Sequence, residues 1–363
     1  MSDRIDHDRR RLLGAGAIAA AGVPLGLYSP LMRTTTHALR HLAGEDRLAS
    51  LRTATAWLNT PPLTEANLRG KVVLIDVWTY TCVNWLRTLP YVRAWADKYK
   101  SPGLVVIGVH SPEFPFEHDL ENVRRAVMEM RVTYPVAIDN EFSIWRAFDN
   151  NYWPAVYLLD GNGRVRFQHF GEEGYEQTER NIQRLLKDAG ARGVSSELVS
   201  VVPEGAEVPA DWGSLKSAEN YVGYGRTENF VSADRTAVDE RHVYDVPKRL
   251  QLNQWALSGD WTVSRGATAL NRPNGRIAYC FHARDLNLVM GPATRGVPVR
   301  FRVMVDGRPP GAAHGVDTDE QGNGVVAEQR MYQLIRQPKP IADRQFEIEF
   351  LDAGVEAFSF TFG

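Results

Sequence analysis

The stretch KVVLIDVW at residues 71–78 constrains the fold most, because it is a continuous apolar run rich in β-branched residues. Such runs are typical of strands that are buried on both faces of a parallel sheet. LVVIGVH at 104–110 is a second run of this kind, and YPVAID follows at 134–139. Between and after these runs, apolar residues recur at helical spacing in three segments, 83–99, 119–131 and 175–190.

The segment 155–171, AVYLLDGNGRVRFQHFG, is predicted to turn back on itself. Its DGNG tetrapeptide at 160–163 is a hairpin signal, because Gly and Asn accept the backbone conformations of tight turns. Alternating strands and helices, then a hairpin, then a closing helix that ends at Gly190 together predict an α/β layer fold with a mixed sheet over residues 47–190.

Beyond residue 190 the pattern predicts a second domain of a different class. Residues 191–216 contain Pro, Gly and Ser without helical spacing and are predicted to be a linker. From 217 to 363 apolar residues occupy alternate positions, as in VRFRVMV at 299–305 and FSFTF at 358–362. This period of two predicts an all-β antiparallel sandwich of the jelly-roll type.

Residues 1–45 have the layout of an export signal followed by a linker. Three arginines at 9–11 precede a weakly apolar run rich in Ala and Gly, which resembles a twin-arginine signal. THA at 36–38 is a weak candidate for the cleavage site, and an uncleaved signal would be the only expected contact with a membrane. We therefore expect the protein to act outside the cytoplasm, in the periplasm or cell envelope, where disulfides persist.

The candidate chemistry centres on Cys82, which stands where the strand at 71–78 gives way to the helix at 83–99. Amide groups at a helix start favour the thiolate, which is the nucleophilic form of cysteine. Asp76 interrupts the apolar strand, and a buried carboxyl needs a partner or a proton. We expect it either to hydrogen-bond to nearby structure or to act as a proton acceptor with a raised pKa.

The stretch VVLIDVWTYTCVNWLRTLPYVRAW resembles the active-site strand and helix of the thioredoxin superfamily. The spacing from Asp76 to Cys82 matches the buried acid and first cysteine of that superfamily, and YWPAV at 152–156 matches the segment that carries its cis-proline. The resemblance implies a thioredoxin fold with Cys82 and Asp76 as catalytic residues. The residues implied for the substrate groove are Trp78, Trp85, Trp153 and Pro154.

A longer resemblance is to DipZ-type cytochrome c biogenesis proteins. LVVIGVHSPEFPFEHDLENVRRAV is similar to their redoxin domain, and NYVGYGRTENF, FHARDLNLVMGP and the final FSFTFG are similar to the sandwich domain attached to it. That sandwich domain resembles carbohydrate-binding modules in fold. We expect the export signal to stand in the place of the membrane-embedded electron-transfer domain of DipZ proteins.

The sequence departs from the superfamily at Trp85, because the Cys-x-x-Cys pattern has become CVNW at 82–85. In a two-cysteine enzyme the first thiolate attacks a disulfide and the second thiol resolves the mixed intermediate. Cys280, the other cysteine of the chain, lies in the period-two stretch RIAYCFHAR. We interpret it as a small core residue rather than as a resolving thiol.

Three functions remain open on this sequence, and we favour the first. The first is a one-cysteine redox protein whose Cys82 reacts with peroxide or forms a mixed disulfide with a protein or small thiol, linked to cytochrome c biogenesis or to peroxide and thiol defence. The second is a catalytically degenerate binding protein whose sandwich domain binds a cell-envelope glycan or partner. The third is a scaffold that holds a chain by strand pairing during thioether or cytochrome assembly.

Other partners and cofactors are not indicated. The formal net charge of -2 gives no basic field for nucleic acid. His314, Asp317 and Asp319 are interpreted as a solvated loop rather than a cation site, so neither a metal nor a cofactor is expected. The tryptophans that could stack on sugars, but that we interpret as core or strand-edge residues, are Trp212, Trp255 and Trp261.

Overall fold

The computed structural model describes residues 47–232 and 237–363. The expected export signal, including the candidate cleavage site, lies outside these residues. Within the two described ranges, no helix is both long enough and apolar enough to cross a membrane.

The chain divides into two compact units, which are described separately. The N-terminal unit contains the described residues up to Glu113 together with Val123–Val201. The C-terminal unit contains Phe114–Asn122 together with Val202–Gly363.

A mixed six-stranded sheet forms the centre of the N-terminal unit. Its strands are β1 (Ala56–Leu58), β2 (Val72–Trp78), β3 (Leu104–His110), β4 (Val136–Ile138), β5 (Ala155–Leu159) and β6 (Val165–Phe170). Across the sheet they run β1-β4-β3-β2-β5-β6; β2, β3 and β4 are parallel, and the other neighbours pair antiparallel. Every residue of the central strand β2 is buried, which explains why its sequence is apolar at every position except Asp76.

The predicted helices are present, with one shorter helix added before β2 and another before β5. The α-helices of the described residues are α1 (Glu65–Leu68), α2 (Val83–Tyr99), α3 (Leu120–Glu129), α4 (Ser143–Ala147) and α5 (Tyr175–Asp188). Helix α2 has the predicted bounds and contains Pro90. Helix α5 is followed by Gly190, whose φ of +83° is the left-handed conformation that often ends helices.

The strands of the C-terminal unit all pair antiparallel with one another. Its strands are β7 (Asn220–Tyr221), β8 (Arg241–Tyr244), β9 (Trp255–Val263), β10 (Thr268–Leu270), β11 (Gly275–Phe281), β12 (Asp285–Pro292), β13 (Val299–Val305), β14 (Asn323–Val326), β15 (Arg330–Arg336), β16 (Arg344–Phe350) and β17 (Val355–Phe362). The hydrogen-bonded order is β14-β13-β16-β11-β9-β10-β17-β12-β15, with β7 on β17 and β8 on β9. The all-β prediction for this region is confirmed.

Strand β9 joins the two halves of this curled sheet. Residues 255–258 of the strand pair with β11, whereas residues 259–262 pair with β8 and residues 261–263 with β10. Gly259 lies at the changeover with a φ of +94°, and a Cβ there would lie 3.0 Å from the Cα of Gly275. A glycine therefore allows the strand to bend between its two sets of partners.

The alternation predicted for the C-terminal strands agrees with their burial. In β13, Val299, Phe301 and Val303 are buried, whereas the arginines between them are exposed. Trp255 and Trp261 belong to the same apolar core, so the core interpretation of these two residues is confirmed. Trp212, by contrast, has 39% of its surface exposed.

Candidate active site around Cys82

Cys82 occupies the N-cap position of α2, directly after the loop that leaves the buried strand β2. Its backbone is extended, with φ −75° and ψ 111°, and its carbonyl accepts the N–H of Leu86 at 3.0 Å. The thiol donates to the carbonyl oxygen of Trp153, at a sulfur–oxygen distance of 3.8 Å. The peptide bond from Trp153 to Pro154 is cis. The structure therefore brings Cys82, Trp153 and Pro154 together.

Trp153 forms one side of the site and is itself firmly held. Its indole N–H donates to the carbonyl oxygen of Ser111 at 3.0 Å. Its ring lies 4.4 Å, centroid to centroid, from the ring of Trp145 at the start of α4. Both tryptophans are buried. The carbonyl that faces the thiol thus belongs to a residue fixed at its side chain.

Asp76 is fully buried in the middle of β2. Its Oδ2 accepts hydrogen bonds from the indole N–H of Trp85 at 3.0 Å and from the hydroxyl of Tyr134 at 3.4 Å. Its Oδ1 has no hydrogen-bond partner among the described residues. Burial raises the pKa of Asp76 to about 7, although the bonds from Trp85 and Tyr134 oppose that rise.

Trp85 fills the space between α2 and the sheet. Its ring is stacked on Trp78, with centroids 4.1 Å apart and planes inclined by 20°. A Cβ on Gly108 in β3 would lie 2.7 Å from the Trp78 indole nitrogen, so the neighbouring strand has a glycine where the ring needs room. Trp78 and Trp85 are both completely buried. These two tryptophans belong to the core below the site, and neither has exposed surface that a substrate could contact in this structure.

Comparison with known proteins agrees with this geometry. Residues 49–186 match the family described as Redoxin, and residues 217–363 match the Thioredoxin like C-terminal domain. The chain is 30% identical over 133 residues to the thiol-disulfide oxidoreductase YkuV of Bacillus subtilis, which covers 37% of this chain and 89% of YkuV. It is 35% identical over 323 residues to the protein DipZ of Mycobacterium tuberculosis and of Mycobacterium bovis, which covers 86% of this chain.

The chain belongs to the thioredoxin superfamily and is DipZ-like. It spans 42% of the length of the two mycobacterial DipZ proteins. The expectation of a thioredoxin fold followed by an all-β domain is confirmed. So is the resemblance on which it was based, including the replacement of the second cysteine of the redoxin motif by Trp85.

The residue at the position of the second cysteine contacts the buried acid. Trp85 donates its indole N–H to Asp76. The sequence left two roles open for Asp76, a hydrogen bond to nearby structure or proton acceptance with a raised pKa. The bond from Trp85 agrees with the first role and the raised pKa agrees with the second, so the two roles are compatible.

Cys280 belongs to the other unit and has a different environment. It lies in β11 within a small buried cluster that includes Leu250, Ala256 and Ala278, which agrees with the core interpretation. Burial raises the pKa of its thiol. Among the described residues, no group of three or more His, Cys, Asp or Glu side chains could hold a metal ion.

Sequence reasoning did not find Ser111, Asp139 and Tyr134, which complete the surroundings of the site. Ser111 and Asp139 directly follow the parallel strands β3 and β4. Polar residues at the carboxyl ends of parallel strands are a recognised signal for a site, and this signal could have identified both. Tyr134 has no comparable signal, because its contact with Asp76 depends on how neighbouring strands pack.

Proposed function

We propose that this DipZ-like chain is an exported thiol-redox protein of the cell envelope that works through Cys82 alone. The observation that carries the proposal is the placement of the Cys82 sulfur at the start of α2, 3.8 Å from the carbonyl before cis Pro154. The resemblance to a thiol-disulfide oxidoreductase over nearly the whole redoxin domain supports the same chemistry.

The proposed reaction is thiol–disulfide exchange in two steps. The Cys82 thiolate attacks one sulfur of a disulfide, so that the bond between the two substrate sulfurs breaks and a bond from Cys82 to one of them forms. The other substrate sulfur leaves as a thiolate and takes up a proton. A second thiol, from a protein or a small molecule, then attacks the mixed disulfide and releases Cys82. Trp85 makes this external thiol necessary, since the helix offers no second sulfur.

Asp76 is the proposed proton acceptor. A carboxyl whose pKa is about 7 can take up or release a proton near neutral pH. Its Oδ1 is buried and has no hydrogen-bond partner among the described residues, so this oxygen has room for a proton without loss of another bond. The indole of Trp85 holds the opposite oxygen and would keep the carboxyl in one orientation.

The proposed location and pathway rest on sequence. The arginines at 9–11, followed by the Ala- and Gly-rich run, support export through a twin-arginine route. The similarity to DipZ supports a link to cytochrome c biogenesis or to thiol and peroxide defence. Lysine in place of all three arginines is expected to keep the protein in the cytoplasm, which cell fractionation would detect. Unchanged export would contradict the twin-arginine assignment.

A second function is favoured by one specific observation. Only 4% of the Cys82 surface is exposed, and the tryptophans beneath it are completely buried. A thiol held in that way could be an inert part of a binding protein. In this case the C-terminal unit, with its exposed Trp212, would bind a cell-envelope glycan or partner protein.

The deciding experiment is exchange with a small disulfide. The full chain carrying Cys280→Ser is incubated with glutathione disulfide under native conditions, and the mass of the protein is measured. One added glutathione, released by dithiothreitol and absent from the variant Cys82→Ser, is the expected result. A folded Cys280→Ser protein that gains no mass until it is denatured would overturn the redox proposal and favour the binding protein.

A further inference from the structure

A chain of hydrogen bonds leads from the wall of the active site to a carboxyl behind it. The carbonyl of Trp153 faces the Cys82 thiol, and the indole N–H of the same residue donates to the Ser111 carbonyl at 3.0 Å. The Ser111 hydroxyl donates to Oδ2 of Asp139 at 3.1 Å. Ser111 and Asp139 are almost completely buried, so water does not compete for these bonds.

The carboxyl of Asp139 also holds Trp145, whose ring packs against Trp153. Its two oxygens accept the backbone N–H groups of Ile144 and Trp145 at 2.9 and 2.8 Å, in the first turn of α4. Trp145 packs its ring against Trp153. Asp139 is therefore joined to Trp153 along two routes, one through Ser111 and one through the start of α4.

We propose that Asp139 is a positioning residue for the thiol chemistry of Cys82, holding the Trp153 carbonyl where it accepts the hydrogen bond of the thiol. Asp139 itself touches no reacting atom. The inference rests on the proposed function and adds to it a residue that acts through Ser111 and Trp153. The carbonyl bonds to the protonated sulfur only, so it favours the resting thiol over the thiolate. The network therefore opposes the helix start, which favours the thiolate.

This role gives an expectation that a purely structural carboxyl does not. When the network is broken, the Trp153 carbonyl is released and the thiol loses a bond that favours its protonated form. The pH midpoint of Cys82 alkylation should then fall by about half a pH unit, the size expected for one weak hydrogen bond. Improved access to the sulfur would instead raise the maximum rate and leave the midpoint unchanged.

The test uses the full chain with Cys280→Ser and measures iodoacetamide alkylation of Cys82 from pH 5.5 to 9.5. Asp139→Ala and Ser111→Ala are compared with Asp160→Ala. Asp160 is the matched control, because its carboxyl also accepts backbone N–H groups, from Asn162 and Arg164 in the turn between β5 and β6. Both network variants should lower the midpoint, and the Asp160 variant should leave it unchanged.

A second readout is independent of the thiol. The indole N–H of Trp153, assigned by its loss in Trp153→Phe, can be followed by hydrogen exchange in ¹⁵N NMR. Its exchange should become at least about tenfold faster in Ser111→Ala and in Asp139→Ala, because the backbone carbonyl of residue 111 that accepts it loses the anchor that the Ser111 hydroxyl makes on Asp139. If Asp139→Ala does not fold, Ser111→Ala decides both readouts.

The outcomes separate this inference from the proposed function. A thiol that no pH makes reactive in the folded Cys280→Ser protein contradicts the proposed function. A reactive thiol whose alkylation midpoint is the same with and without the network overturns the positioning role alone. Unchanged exchange of the Trp153 indole N–H in the folded variants overturns that role whatever the thiol does.

Discussion

Asp76→Asn should change how the stability of the protein depends on pH. Burial raises the pKa of Asp76 from its ordinary value of 3.8 to about 7 in the folded protein. Between these two values the folded state binds more protons at this carboxyl than the unfolded state does. Stability must therefore fall as the pH rises from about 4 to about 7, and this contribution levels off above pH 7.

The expected size follows from the same pKa values. A difference of one pH unit corresponds to about 1.4 kcal/mol, so the rise to about 7 corresponds to a loss of about 4 kcal/mol across this pH range. An asparagine keeps an oxygen that can accept the Trp85 N–H but has no proton to lose. Asp76→Asn should thus match the original protein near pH 4 and become progressively more stable than it up to pH 7.

Urea unfolding of both proteins, measured at half-unit steps from pH 4.5 to 8.5, provides the assay. The difference between the two free energies of unfolding isolates position 76, because every other titrating group is common to both. Trp85→Phe tests the direction of the effect. It removes a hydrogen bond that lowers the pKa of Asp76, so the fall in the free energy of unfolding with rising pH should extend above pH 7. A difference between Asp76→Asn and the original protein that stays constant with pH would refute the reasoning.

Three further predictions concern single positions. Trp85→Cys should allow a disulfide with Cys82 and restore reduction of protein disulfides, measured by insulin turbidity. Glu172→Ala should lower the free energy of unfolding by about 3–5 kcal/mol, because it leaves the buried guanidinium of Arg87, 2.9 Å away, without this charge partner. Gly259→Ala should cost about 1–3 kcal/mol in unfolding of the C-terminal unit, since its φ of +94° disfavours a side chain.

Each of these changes has a matched control. Trp85→Ala makes a similar cavity without a thiol, so activity in both variants would show that the new sulfur is not responsible. Glu176→Ala breaks an exposed ion pair with Arg180 and should cost less than about 1 kcal/mol. Equal losses of unfolding free energy from Glu172→Ala and Glu176→Ala would contradict the cost of about 3–5 kcal/mol expected for Glu172→Ala.

Gly296→Ala is the control for Gly259→Ala. Gly296 has a φ of +79° with open space where a Cβ would lie, so any additional loss of stability in Gly259→Ala would measure the contact with Gly275.

The long elements of the fold could be predicted because their burial is recorded in their sequence. A strand covered on both faces, such as β2, needs apolar residues at nearly every position, and Asp76 is the one exception in β2. Helix α2 repeats its apolar face over 17 residues. Strand β1 has three residues and helix α4 has five. Neither length allows a period to be recognised, and both were missed for this reason.

The active site could be predicted only as far as spacing along the chain determines it. The resemblance to the thioredoxin superfamily, which the spacing of Asp76 and Cys82 and the proline at 154 carry, implied the acid, the thiol and the cis peptide. Residue type did not show whether Trp85 faces a groove or the core, because tryptophan is used in both. Its bond to Asp76 depends on how α2 packs on β2, and that packing is a property of the folded chain.

The most direct test of the central claim, that Cys82 is a reactive thiol, is its native-state alkylation rate as a function of pH in the full chain with Cys280→Ser. Our account predicts that iodoacetamide modifies the folded protein once per chain, with a rate that rises around a midpoint below the value of about 8.5 for a free cysteine. Modification that begins only when denaturant unfolds the protein would contradict it, and would identify Cys82 as a packed core thiol.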